Sequence, residues 1–215
     1  MRGCAAAMTV LMTAGCATPA LPRLSWPTTL PWPSARQEPL IPIAPLEAVS
    51  PRDVVFGREV KLKLPLRPGY PEPLEASQTV VARHEDRTVA FQAALSFSDA
   101  EARVTLVAPS GPRILSLVWT EAGVAEERTM LAPDQLRGVD VLADIFLCLW
   151  PAEAVRTALG DGASIDVVGA VRTIRTADRT VVEITEEPAG EGVTRHVLRN
   201  LDRGYSLTIV TQRAT

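Results

Sequence analysis

The residues of this sequence able to do chemistry are few, and their spacing limits what they can do. Asp140 and Asp144 stand four apart, which sets two carboxylates on one face of a helix. Such a pair can divide acid and base work. Equally, Asp140 can cap the helix while Asp144 rides its one solvated or hydrogen-bonded stripe, and that plainer reading is preferred. His84 and His196 fall far apart in segments that read as strands, where exposed positions near turns are expected, and no nucleophile stands near either. Arg172, Arg175 and Arg179 suit either a phosphate contact along one edge or a solvated face. Cys148 reads as a small buried hydrophobe. There is no Gly-rich phosphate loop, HExxH zinc pair, GxSxG elbow or CxxC redox pair. No catalytic residue, metal ligand or cofactor is therefore assigned, and the chain is expected not to be an enzyme.

Composition narrows the classes further. The 215 residues are 47% hydrophobic and 22% charged, enough for one packed domain with chain to spare. A net charge of -3 gives no electrostatic footprint for nucleic acid. Three cysteines support neither a disulfide framework nor a four-thiolate zinc site. Thirteen of the 18 prolines fall between Pro19 and Pro73, so one end of the chain is expected to lie outside the packed domain.

That end opens with Met1-Arg2, runs apolar or small to Gly15 and meets Cys16. One positive charge and a short apolar run describe a secretory leader, too short to span a bilayer permanently. Thr13-Ala14-Gly15-Cys16 resembles the bacterial lipobox, which implies a diacylglycerol on Cys16 and loss of residues 1–15. A plain leader with a chance cysteine is the other reading. Ala17, in place of the aspartate associated with inner-membrane retention, points to the outer membrane. From residue 16 to 50 proline recurs every few positions, excluding helix and ladder and favouring an extended tether. At about 3.1 Å per residue it reaches roughly 100 Å. Trp26 and Trp32 within it suit a headgroup level, packing on the domain, or neither.

The folded domain is expected over residues 51–215. Ser50-Pro51-Arg52-Asp53 reads as a helix cap with a short helical turn to Phe56. Beyond Ala76 two-residue alternation takes over: Val89, Phe91, Ala93, Leu95 and Phe97 point one way and their neighbours the other. Nine to eleven such strands joined by short turns imply antiparallel pairing, in two packed sheets or one strongly curved, partly closed sheet. Between them, Val139–Trp150 is apolar nearly all round, interrupted only by Asp140 and Asp144. A helix of that kind must be covered nearly all round, which a curved sheet does and a flat one does not. Pro151 starts a second helix expected to close at Gly160. The fold class is thus mainly antiparallel β with a helical insert, α+β, a half-open barrel-like sheet covered by a hydrophobic helix.

Three segments carry a resemblance: Ala108-Pro109-Ser110-Gly111-Pro112-Arg113-Ile114-Leu115-Ser116-Leu117, Leu142-Ala143-Asp144-Ile145-Phe146-Leu147-Cys148-Leu149-Trp150-Pro151, and Leu198 through Ile209. With the lipobox-like start they resemble an uncharacterised family of bacterial lipoproteins, a domain of unknown function. Members often accompany aryl-polyene or fatty-acid-type biosynthesis genes. That family is distantly similar to the lipoprotein localisation factors LolA and LolB, whose incomplete β-barrels are lidded by helices and hold acyl chains. The resemblance implies a lipid-anchored periplasmic protein that binds an acyl or polyene chain, or a lipoprotein, in an apolar half-barrel. Phe91, Leu95, Phe97, Leu115, Leu117, Trp119, Phe146 and Trp150 are its expected lining, with plain core packing as the alternative for each. A second expectation is a solid-cored scaffold lipoprotein docking on an envelope or biosynthetic complex. A hydrolase or acyltransferase acting on lipid stands third, for want of a clustered triad.

Overall fold

The computed structural model describes residues 52–214 except residue 59. The leader, Cys16, the tether with its two tryptophans and the Ser50-Pro51 cap lie outside the described residues. Every described element falls within the compact unit Ile43–Thr215 and shares one hydrophobic core, so this unit holds what it needs to fold alone.

Strands β1 (Asp53–Val55) and β2 (Lys61–Lys63) form a small antiparallel ribbon. This corrects the helical turn expected up to Phe56. Val54 and Leu62 are buried while their neighbours in the two strands are exposed, and one-sided alternation over three residues suits a ribbon better than a helix. Leu62 in turn bridges to Leu159.

The rest is built from two meanders. The first comprises β3 (Leu74–His84), β4 (Arg87–Phe97), β5 (Ala102–Val107), β6 (Arg113–Thr120) and β7 (Gly123–Arg128). Helices α1 (Gly138–Leu149) and α2 (Ala152–Ala158) follow. The second comprises β8 (Ala163–Val168), β9 (Val171–Thr176), β10 (Thr180–Gly190), β11 (Val193–Asn200) and β12 (Tyr205–Arg213). Pairing of β3 with β12 joins them into one ten-stranded antiparallel sheet, ordered β7-β6-β5-β4-β3-β12-β11-β10-β9-β8. It is curved and does not close. The twelfth strand beyond the expected range is β1.

On the inner face, Leu74, Phe97, Ala102, Trp119 and Val124 stand in one cross-strand row. Burial along β4 is graded: Val89 is 50% exposed, Phe91 partly buried, and Leu95 and Phe97 are each 2% exposed. One end of the trough is thus filled and the other open.

Helix α1 buries eight of its twelve residues, as an all-round apolar helix must. Its start departs from expectation. Arg137 takes the cap position with no side-chain bond, and Gly138 N–H donates to Glu126 Oε2 across from β7 at 3.0 Å. Asp140 lies inside the first turn, past the cap position, and its carboxylate meets Arg203 at 3.5 Å and Arg137 at 3.9 Å. A borrowed carboxylate thus does the work assigned to Asp140, and it serves the positive end of the helix as well. Gly160 follows the C-cap residue of α2, as expected. Leu159 holds the cap position, and Gly160 N–H donates to the carbonyl of Lys61, tying the helix exit to β2.

Candidate functional site

The eight expected lining residues do come together, but mostly as packed core. Leu95, Phe97, Leu115, Leu117, Trp119, Phe146 and Trp150 are each at most 2% exposed. Trp150 is the hub, with ring centroids 4.8 Å from Tyr70, 5.1 Å from Phe97, 5.2 Å from Phe146 and 5.9 Å from Trp119. Its indole N–H donates to Pro68 O at 2.6 Å, which fixes the ring where α1 ends. Aromatic edges and faces interlock there, leaving that end of the trough solid.

Phe91 is different. It lines a narrow cleft of about 40 Å³ between the inner face and α1. Val80, Leu106 and Ile209 supply its floor, and Val141 and Ile145 its helical wall. Little more than one water-sized space is free in it. Toward the open end the same face continues through half-buried Leu207 to exposed Val89. The cleft therefore leads from solvent to the place where α1 meets the sheet.

Two polar side chains interrupt this apolar wall. Gln78 is buried and donates through Nε2 to Thr211 Oγ1 at 3.0 Å. Asp144 accepts a 2.8 Å hydrogen bond on Oδ1 from the Tyr205 hydroxyl. Burial of its carboxyl, only partly offset by that bond, pushes the Asp144 pKa up to about 7, and nearby Asp140 adds to the rise. Burial likewise pushes the Tyr205 phenol well above its ordinary range. Asn200 completes the network, donating to Phe56 O at 2.8 Å and, more weakly, toward the Tyr205 oxygen at 3.4 Å. Gln78 and Tyr205 were missed in the sequence. Their signal was a polar or amphipathic residue on the inward phase of an alternating strand.

The other sequence candidates separate. His84 is exposed, whereas His196 is 3% exposed, which corrects the expectation of a surface position. His196 follows Val80 and Ile209 in an inner-face row, so its strand phase decides its burial. Burial lowers its pKa against the opposing pull of Glu186, 3.5 Å away. The arginine trio does not gather at one edge. Arg172 turns inward and donates through Nη1 to the carbonyls of Leu147 at 3.3 Å and Trp150 at 2.5 Å. Arg175 is exposed, and Arg179 forms a two-pronged pair with Asp202 at 3.1 and 3.0 Å. Cys148 is buried, and burial raises its thiol pKa, so no thiolate is offered. Among the described residues no three His, Cys, Asp or Glu side chains are grouped to hold a metal ion. No helix among them is long and apolar enough to cross a membrane.

The fold and site thus define an open antiparallel sheet wrapped on a central apolar helix, with an amphipathic cleft beside that helix. Over residues 75–213 the sequence matches the family described as a protein of unknown function (DUF3261), and the chain belongs to that family. The match takes in both meanders and both helices and leaves out the β1–β2 ribbon. No curated protein matches the chain.

Proposed function

We propose that this protein is a lipoprotein, acylated at Cys16, that faces the periplasm from the outer membrane and binds the apolar chain of a lipid or lipoprotein. In this reading the domain is a half-barrel of the LolA and LolB kind, noncatalytic and without cofactor, carried on a proline-rich tether. The observation that carries the reading is the cleft between α1 and the β3, β4, β5 and β12 wall, apolar except at Gln78 and Asp144 and leading toward exposed Val89. An acyl chain of ordinary length exceeds 40 Å³ several times over, so it enters by displacing Val141 and Ile145 from the sheet. Removing a hydrocarbon chain from water offsets the lost helix contacts at roughly 25 cal/mol per Å² buried.

The test is uptake of N-phenylnaphthylamine by residues 43–215, displaced by fatty acids and by a triacylated peptide. Saturable fluorescence enhancement, lost in Val141→Trp, is the expected result. Absence of uptake overturns the reading. It would leave a scaffold that docks on an envelope complex, which the solid aromatic packing around Trp150 favours.

A further inference from the structure

A second cavity, of about 360 Å³, lies on the inner face beneath the β8–β9 turn and shares no lining residue with the α1 cleft. Arg172, Glu186 and Thr194 line it, together with Val167 and Pro188. Its two charges are opposite and form no ion pair with each other. Arg172 spends Nη1 on the carbonyls at the end of α1 and makes no ion pair, which leaves Nε and Nη2 for the cavity. Glu186 has one ionisable neighbour, His196 at 3.5 Å, and its side chain stays 49% exposed. A cation and an anion that stand apart on the wall of one cavity are complementary to a ligand carrying both charges a few bonds apart. Neither a simple anion nor a simple cation satisfies both.

The rim is apolar. Val167, 48% exposed, lines the cavity, and Val168, 78% exposed, follows it as the last residue of β8 before the Gly169-Ala170 turn. Gly169 takes φ +58°, where a side chain is disfavoured, so the tip is compact as well as uncharged. Two exposed valines at the hairpin tip beside a charged pocket match the boundary between acyl chains and headgroups of a bilayer.

We propose that this cavity receives the zwitterionic headgroup of a phosphatidylethanolamine at a membrane surface. The phosphate meets Arg172, the ammonium meets Glu186, and Val167 and Val168 enter the acyl boundary. This site stands independently of the α1 cleft. The test uses residues 43–215, soluble dihexanoyl phosphatidylethanolamine, O-phosphoethanolamine, and vesicles of phosphatidylethanolamine with phosphatidylcholine or of phosphatidylglycerol. The expected results are amide shifts at Gly169, Glu186 and Thr194 with the short-chain lipid, and at least tenfold weaker binding in Glu186→Gln. Vesicle pelleting is expected to fall in Val168→Asp, and Glu186→Lys should transfer the preference to phosphatidylglycerol. Absence of shifts, or unchanged binding in Glu186→Gln, overturns the site. Should O-phosphoethanolamine bind as tightly as the lipid while Val168→Asp still pellets with vesicles, the membrane source is overturned in favour of a free zwitterion.

Discussion

The Tyr205 hydroxyl donates to Asp144 Oδ1 at 2.8 Å, joining the first residue of the last strand to the middle of the central helix. The pair makes stability depend on pH in a defined direction. Asp144 titrates at about 7 in the fold, against roughly 3.9 for an unfolded aspartate. Its contribution is full below the unfolded value and is lost as pH rises through 7. At about 1.36 kcal/mol per pKa unit the change amounts to a few kcal/mol. Urea midpoints of residues 43–215 should therefore fall between pH 5 and pH 8, and Asp144→Asn, which keeps a neutral side chain, should flatten that fall.

Arg172 caps the C-terminal end of α1 from β9, where two helix carbonyls would otherwise lack donors. Arg172→Ala should cost about 2 kcal/mol, in the range for hydrogen bonds to a charged group. Arg175→Ala, exposed on the same strand, should stay within about 0.5 kcal/mol. Equal losses in urea unfolding would refute the capping role.

The two central tryptophans are not equivalent. Trp150 Nε1 is satisfied by Pro68 O, whereas Trp119 Nε1 is buried without a partner. Trp150→Phe should be the more destabilising by about 1 kcal/mol, because it removes a hydrogen bond while Trp119→Phe removes an unmet donor. Thermal melts of the two variants decide the order.

Gly138 begins α1 where no side chain fits. A Cβ there would stand 2.2 Å from Leu117 Cδ2 and 2.6 Å from Glu126 Oε2, the atom that caps the helix. Gly138→Ala should cost about 1–3 kcal/mol despite alanine's higher helix propensity. A stabilised variant, seen as a raised melting temperature, would contradict the packing of α1 on β6 and β7.

The proposed acylation of Cys16 is testable apart from the domain. Cells fed an alkyne fatty acid should label the full chain, and Cys16→Ala should abolish the label. Persistent labelling in that variant would dismiss Cys16 as the acylated residue.

Much of the sheet was legible because its alternation is strict. Val89, Phe91, Ala93, Leu95 and Phe97 share the one face of β4 assigned to them. The all-round apolar stretch of α1 correctly called for a curved cover. What escaped depends on residues distant in the chain. Asp140 looked like a cap until Glu126 arrived from β7. His196 looked exposed until the row through Val80 and Ile209 placed it inside. The arginines suit an edge cluster or a solvated face, yet strand phase sends Arg172 inward and Arg175 outward. The solid filling of one end of the trough was equally hidden, since it rests on Tyr70 and Pro68 reaching Trp150 from a loop.

The seam between β3 and β12 has a consequence for how the protein is made. Every other strand pair within the sheet joins neighbours in sequence, but this one unites Gln78 with Thr211, 133 residues apart. Each meander can assemble locally and quickly, whereas the seam must await the last strand. A chain that emerges N-terminus first therefore holds two unfinished half-sheets, with α1 uncovered on one side, until β12 appears. Until residues 205–213 lock the halves together, the edges of β3 and β11 stay open and the apolar face of each half-sheet stays in water.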